Sequence, residues 1–328
     1  MGYLTGTATS IADLFTQLST FATDPLQGWT QNYAASDRLF LSKNNVYVSF
    51  RWANSSPVHV GIYQALGFIN NTTDPGNHTN DSGQGAIGST DAIIDDGRNV
   101  RLVNSSMRYW FFEDDNYIHV VAESSTNVFR HFGFGELAKL GTWTGGEYAY
   151  GLRVLTANDA VATTDTVTAL LDGYSGFVVG GNRTGVQPYV ATVHCESLPG
   201  QAAASKWGLV WAGSTPTTND RGGNARVFIH GGFRSGLIAN SFARFSASAT
   251  NGLLPMYPIQ LFYRNSTNVY PIGYQKDVRG VNIKNFSPAD EITVGGDTWV
   301  LFPTLLKGST AGTTGASRNQ GIAYRKVT

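Results

Sequence analysis

One cysteine, Cys195, stands in 328 residues. A lone thiol can form no intramolecular disulfide and no cysteine cluster for structural zinc, so stability has to come from packing. Charge is scarce as well: Asp, Glu, Lys and Arg make up 14% of the chain, against roughly 25% in an ordinary soluble domain. The 23 basic and 23 acidic residues cancel, which argues against a nucleic-acid binder held by bulk positive charge. Long apolar runs are missing too. No segment approaches the roughly 20 apolar residues of a membrane-spanning helix, and the opening Met1-Gly2-Tyr3-Leu4-Thr5-Gly6 has neither the basic start nor the continuous apolar stretch of a secretion signal. The expectation is a chain made and folded in the cytosol, without membrane insertion. Sequons at Asn54, Asn71, Asn77, Asn104, Asn182 and Asn265 then read as by-products of Asn/Ser/Thr-rich loops.

What is present points to a packed β protein. Hydrophobic residues at 41% and aromatics at 12% supply core material, and 38 glycines exceed the usual share. One short helix is expected near the start. Ser10 can cap it with Asp13 three residues on, and Ile11, Leu14, Phe15, Leu18 and Phe21 fall on one face before Asp24-Pro25 ends it. The apolar stripe of Leu14, Leu18 and Phe21 has two readings: it seals the chain's own core, or it is an interaction surface for a neighbouring subunit.

From residue 39 the period becomes two. Val46, Val48, Phe50 and Trp52 alternate with Tyr47, Ser49 and Arg51, and Val58, Val60 and Ile62 continue the pattern. Residues 70 to 99 are dense in Asn, Thr, Asp and Gly, the composition of a long polar loop. Arg108-Tyr109-Trp110-Phe111-Phe112 and Tyr117-Ile118-His119-Val120-Val121 flank Glu113-Asp114-Asp115-Asn116, which reads as a hairpin with a solvated acidic tip. Short apolar pieces recur downstream at Tyr189–Val193, Leu209–Trp211, Val227–Ile229 and Ile259–Tyr263, and Gly295-Gly296-Asp297 between two apolar runs marks a hairpin. The predicted fold is therefore mainly β, with β-sandwich or barrel-like subdomains and a short N-terminal helix. A composition shift near 156 to 165 suggests residues 1–155 as helix plus β domain and 156–328 as a second β domain.

The usual catalytic patterns do not assemble. The sequence holds no G-x-S-x-G elbow, P-loop, helix-opening G-x-G-x-x-G or H-E-x-x-H. His230-Gly231-Gly232 lacks a matching serine elbow and reads as a glycine-rich turn. His194 and Cys195 are adjacent on an expected strand, so they project to opposite faces and cannot meet as base and nucleophile; Cys195 reads as a small buried apolar residue. His131 and Glu136 match no ligand spacing, and His131 between aromatics reads as structural. No catalytic residue, cofactor or metal is expected.

Three stretches resemble bacteriophage virion structural proteins of the tail and baseplate region. They are Ala12-Asp13-Leu14-Phe15 leading through Phe21 to Gly28-Trp29; the centre from Arg108-Tyr109-Trp110-Phe111-Phe112 through Phe129-Arg130-His131-Phe132-Gly133-Phe134-Gly135-Glu136 to Trp143-Thr144-Gly145-Gly146-Glu147-Tyr148; and the end, Ile292-Thr293-Val294-Gly295-Gly296 through Trp299 and Phe302-Pro303 to Gly321-Ile322-Ala323-Tyr324-Arg325-Lys326. The resemblance implies a non-enzymatic assembly component, made in the host cytoplasm and located in the virion tail. Its partners would be other tail or baseplate proteins and further copies of itself in threefold or sixfold order. The alternatives are a neck, head-tail or capsid-associated position, or a receptor-binding tail module whose 70–99 loop meets a host-surface glycan.

Overall fold

The computed structural model describes residues 2–52, 58–68, 99–151, 191–198, 207–211, 226–229, 256–264, 269–303 and 320–328. Helix α1 spans Ile11–Ala22. Ser10 caps it by accepting from the Asp13 N–H at 3.1 Å, and Asp13 returns the contact by accepting from the Thr9 N–H at 2.7 Å. A second brace comes from far along the chain, where the Asn104 side-chain carbonyl accepts from the Ile11 N–H at 3.2 Å. Among the described residues no helix is long and apolar enough to cross a membrane.

Among the described residues everything else that is regular is β. Five antiparallel strands, β2 (Thr30–Ala35), β3 (Arg38–Lys43), β4 (Val46–Trp52), β5 (Val58–Ala65) and β6 (Asn99–Leu102), form one sheet in chain order. The larger sheet has 14 strands. It begins at β1 (Tyr3–Ala8) and continues through β7 (Met107–Asp114), β8 (Tyr117–Ser125), β9 (Val128–Glu136), β11 (Thr144–Gly151) and β12 (Ala191–Glu196). It then passes β13 (Trp207–Trp211), β14 (Arg226–Ile229), β15 (Met256–Arg264) and β16 (Val269–Asn282) to β19 (Gln320–Lys326), β18 (Asp297–Pro303) and β17 (Asp290–Val294). Among the described residues pairing is antiparallel except between β13 and β14.

The short β10 (Ala138–Lys139), continuing from β9, pairs with β16. The hydrogen-bonded circuit β9–β11–β12–β13–β14–β15–β16–β10 thereby returns to its start, which is a barrel-like closure. Closure removes edges that would otherwise pair with other chains.

Strands β7 to β9 are buried on both faces, which explains their nearly unbroken apolar sequence. Tyr109, Phe111, Ile118, Val120, Phe132 and Phe134 face α1 and the five-stranded sheet. Trp110, Phe112, Tyr117, Val121 and Phe129 face the other way, onto Val300, Phe302, Ile322 and Tyr324 of β18 and β19. Phe112 stacks on Tyr324 at 4.9 Å, and Trp110 meets Phe302 edge-on at 5.0 Å.

Leu14 and Leu18 are 0% exposed and Phe21 is 6% exposed, all within the first of these cores. Of the two readings of the stripe, the structure gives the first, and the docking reading is corrected: the face is already covered by the chain's own sheets. The boundary expected at 155/156 falls in 152–190, outside the described residues; on either side of it β11 and β12 are neighbours in one sheet. The expected hairpin at Gly295-Gly296 is present, both glycines having positive φ (65° and 92°), which a two-residue turn of this hand requires.

Candidate functional site

Among the described residues three places gather chemistry-bearing side chains or could receive a ligand, and His194 stands apart from them. The first is inside the larger sheet. His119 on β8 and His131 on β9 are both 0% exposed. The His131 Nε2 lies 2.9 Å from the Pro303 carbonyl, which can only accept, so Nε2 carries the proton and Nδ1 accepts from the Tyr324 hydroxyl at 2.9 Å. Tyr324 is also hydrogen-bonded to Tyr150. The Tyr150 hydroxyl also lies 3.1 Å from His119 Nδ1. His119 Nε2 lies 3.3 Å from the Tyr148 hydroxyl, and the Lys276 backbone carbonyl also accepts from the ring. One hydrogen-bonded network thus links five side chains and is anchored on the backbone at Pro303 and Lys276. Burial holds both rings neutral, pushing His119 down to about 3 and His131 to about 4. Gly133 makes room for this network: a Cβ there would lie 2.7 Å from both His119 Nδ1 and Tyr150 Cε1.

The second place is the turn between β7 and β8. Asp115 is solvent-exposed, as the expected acidic tip requires, and the acids of this turn are also met by cations from elsewhere in the chain. Lys43 holds Glu113 at 3.0 Å, Lys276 pairs with Asp115, and Arg325 reaches Asp114 at 2.7 Å. Arg325 also grips Asp277 through Nε at 2.8 Å, and Tyr117 donates to the same carboxylate at 2.7 Å. The hydrogen bond from Lys276 holds the Asp115 carboxyl below the usual range. Beside this cluster, Glu136 accepts from Asn116 at 3.2 Å and faces Lys139, so it does not meet His131.

His194 sits apart on β12, between Glu147 at 2.6 Å and Glu196 at 3.0 Å. Burial alone would lower its pKa, but hydrogen bonds and charge from the two carboxylates raise it. The carboxylates occupy opposite ring nitrogens and so cannot aim their lone pairs with the imidazole at one ion. Among the described residues no three His, Cys, Asp or Glu side chains form a metal-holding group. Cys195 points the other way and is 0% exposed within the second core. The strand alternation that separated it from His194 in the sequence is what the register gives.

The third place is a groove of about 240 Å³ between α1 and the β2–β3 hairpin. Phe15, Leu39 and Trp52 form its inner side, with the Phe15 and Trp52 rings stacked at 4.5 Å and 7°. Ala12, Thr16, Thr20 and Thr23 line the helix wall, and Ala34, Ala35 and Ser36 the opposite wall. The threonine hydroxyls donate back into the helix, Thr16 to the Ala12 carbonyl at 2.9 Å, Thr20 to Thr16 at 3.0 Å and Thr23 to Ser19 at 2.8 Å. Their methyl groups are thereby left to line the groove. Arg38 borders the groove, paired with Asp37 at 3.0 Å.

Sequence reasoning missed the Asp277–Arg325 pair and this groove. The first had no local signal. The second had one, since Ala12, Thr16 and Thr20 recur at four-residue steps on the flank of α1 away from its large apolar residues. The 70–99 loop, short of its last residue Asn99 at the start of β6, and His230-Gly231-Gly232 lie outside the described residues. No family model matches the chain, and no curated protein matches it either.

Proposed function

We propose that the chain is a non-enzymatic structural component of a bacteriophage virion, a building block of the tail, baseplate or tail tip that works beside other tail proteins and further copies of itself. The sequence resemblance of its start, centre and end supplies the virion context. The observation that carries the structural role is the use made of its histidines. In each of the three whose side chains are described, His119, His131 and His194, both ring nitrogens are taken up by protein partners. Groups that would carry proton transfer in an enzyme act here as internal struts between strands distant in sequence.

The low charge fits the same reading. A neutral, glycine-rich and aromatic β body associates through apolar and hydrogen-bonded contacts rather than charge steering. Quantitative mass spectrometry of purified parent particles tests the proposal. A chain present at a fixed number of copies per particle, in a multiple of three, supports it, and absence from the purified particle overturns it.

A further inference from the structure

We propose that the bulge of β16 at Gln275, Lys276 and Asp277 encloses an ordered water molecule bound to the Gln275 side-chain amide. The inference is independent of the virion reading above and concerns how the interior of the larger sheet is completed.

Gln275 is 0% exposed, yet neither its amide nitrogen nor its amide oxygen makes a hydrogen bond to the protein. A buried amide in that position has given up its hydrogen bonds to solvent and gained none in return. Buried polar groups of folded proteins are nearly always paired, with protein or with ordered water.

The backbone around Gln275 is withdrawn from pairing as well. Tyr274 pairs with Gln260 of β15 and the next pair along is Arg279 with Pro258, so Ile259 alone stands against the four residues Gln275 to Val278. On the other side of β16, β10 pairs as far as Tyr274 and β19 begins at Val278. Gln275, Lys276 and Asp277 therefore have no partner in any of the three ladders, and Asp277 takes a left-handed conformation, φ 56°. Crowding extra residues into one strand of a pair makes that strand bow away from its neighbour. Two of the freed residues already serve the clusters described above: the Lys276 carbonyl accepts from the His119 ring, and the Asp277 carboxylate is held by Tyr117 and Arg325.

Gln275 is turned inward. Lys276 reaches out to Asp115, and on an extended strand the preceding side chain projects to the opposite face. That is the face of Gly273, where an added Cβ would lie 3.3 Å from the Leu137 Cβ, in the second core.

The identity of the guest follows from charge and valence. Asp277, the carboxylate of the bulge, is already matched by Arg325 and Tyr117, so an ion would enter uncompensated. The amide offers two N–H donors and a carbonyl acceptor, which calls for a small neutral molecule that both donates and accepts. Water meets that description, and a buried water typically makes about three hydrogen bonds. Its remaining bonds go to peptide groups that the bulge takes out of the ladders. A water held there makes the bulge a fixed part of the core, keeping the Lys276 carbonyl on His119 and the Asp277 carboxylate on Arg325.

Two measurements on the full chain test this. In the wild type carrying isotope-labelled glutamine, the Gln275 side-chain amide protons, assigned through their own backbone, should show a cross-relaxation peak to water with the sign of a molecule that tumbles with the protein. Gln275→Met keeps the length of the side chain and removes its hydrogen-bonding atoms. The variant should raise the unfolding equilibrium constant about ten-fold, because it takes partners away from the bound water. An amide stranded without water gives the reverse, since methionine then relieves an unpaired polar group and stabilises the fold. Absence of the water peak, or a Gln275→Met variant at least as stable as the wild type, overturns the proposal. Should the variant fail to fold, the wild-type spectrum decides by itself.

Discussion

The hydroxyl of Tyr324 donates to Nδ1 of His131 across 2.9 Å, joining two fully buried side chains 193 positions apart in sequence. That bond ties the last strand of the chain to the centre of the larger sheet. It also belongs to the network from Tyr148 to Pro303, so its loss takes a hydrogen bond from two neighbours, His131 and Tyr150. Tyr324→Phe keeps the ring that stacks on Phe112 and removes only the hydroxyl. The expected result is a fold that survives but is less stable by about 1–3 kcal/mol in chemical denaturation, the cost of stranding buried polar groups.

Acid should destabilise the same region. His119 and His131 are neutral in the fold, with pKa values depressed to about 3 and about 4, while the unfolded chain takes up protons near 6.5. Stability is therefore complete above pH 6.5 and falls as pH drops from there towards 4, by about 1.4 kcal/mol per pH unit for each histidine. Unfolding midpoints measured across that range check the slope. Replacing His131 with Gln should roughly halve it.

His194 should respond in the opposite sense. Its pKa is raised by Glu147 and Glu196, so its contribution is fully present below the unfolded value near 6.5 and is lost as pH rises through the folded value. His194→Gln should flatten the alkaline side of the stability profile and leave the acid side unchanged. NMR titration of the ring protons would read the raised pKa directly.

Arg325 bridges Asp114 and Asp277, which Tyr117 also holds. Arg325→Ala leaves the Asp277 carboxylate, 9% exposed, without its cation, at an expected cost of about 3 kcal/mol. Asp277→Asn in the same background should recover part of that loss, because it removes the stranded charge. A double-mutant cycle in denaturant measures the coupling.

Leu18→Asp should fail to fold. The side chain is 0% exposed in the core shared by α1 and both sheets, and an unpaired carboxylate there has nowhere to be solvated. Leu18→Ala, the milder change, should cost about 2–5 kcal/mol and keep the fold. A folded Leu18→Asp monomer by circular dichroism and sedimentation would return this face to the surface.

Local rules carried the sequence reading as far as local physics reaches. The Ser10 cap, the alternation of Val46, Val48, Phe50 and Trp52, and the Gly295-Gly296 turn each depend on a few adjacent residues, and each is present in the structure. The separation of His194 from Cys195 follows from strand alternation alone. What was not legible depends on distant pairings. The ion pairs at the Asp114 and Asp115 tip had no local signal, because their cations lie 211 positions away in Arg325 and 161 positions away in Lys276. The stripe of Leu14, Leu18 and Phe21 left two readings open, since an amphipathic helix has the same pattern whether its own sheet or a neighbour covers it.

The central claim, a structural component of the virion tail, is tested most directly by immunogold electron microscopy of parent particles with antibody raised against the purified chain. The account predicts gold at the distal end of the tail, on intact particles or on particles whose tails have been gently disrupted. Gold confined to the head or neck would keep the structural role and overturn the tail placement, and particles that stay unlabelled in both states would contradict the claim.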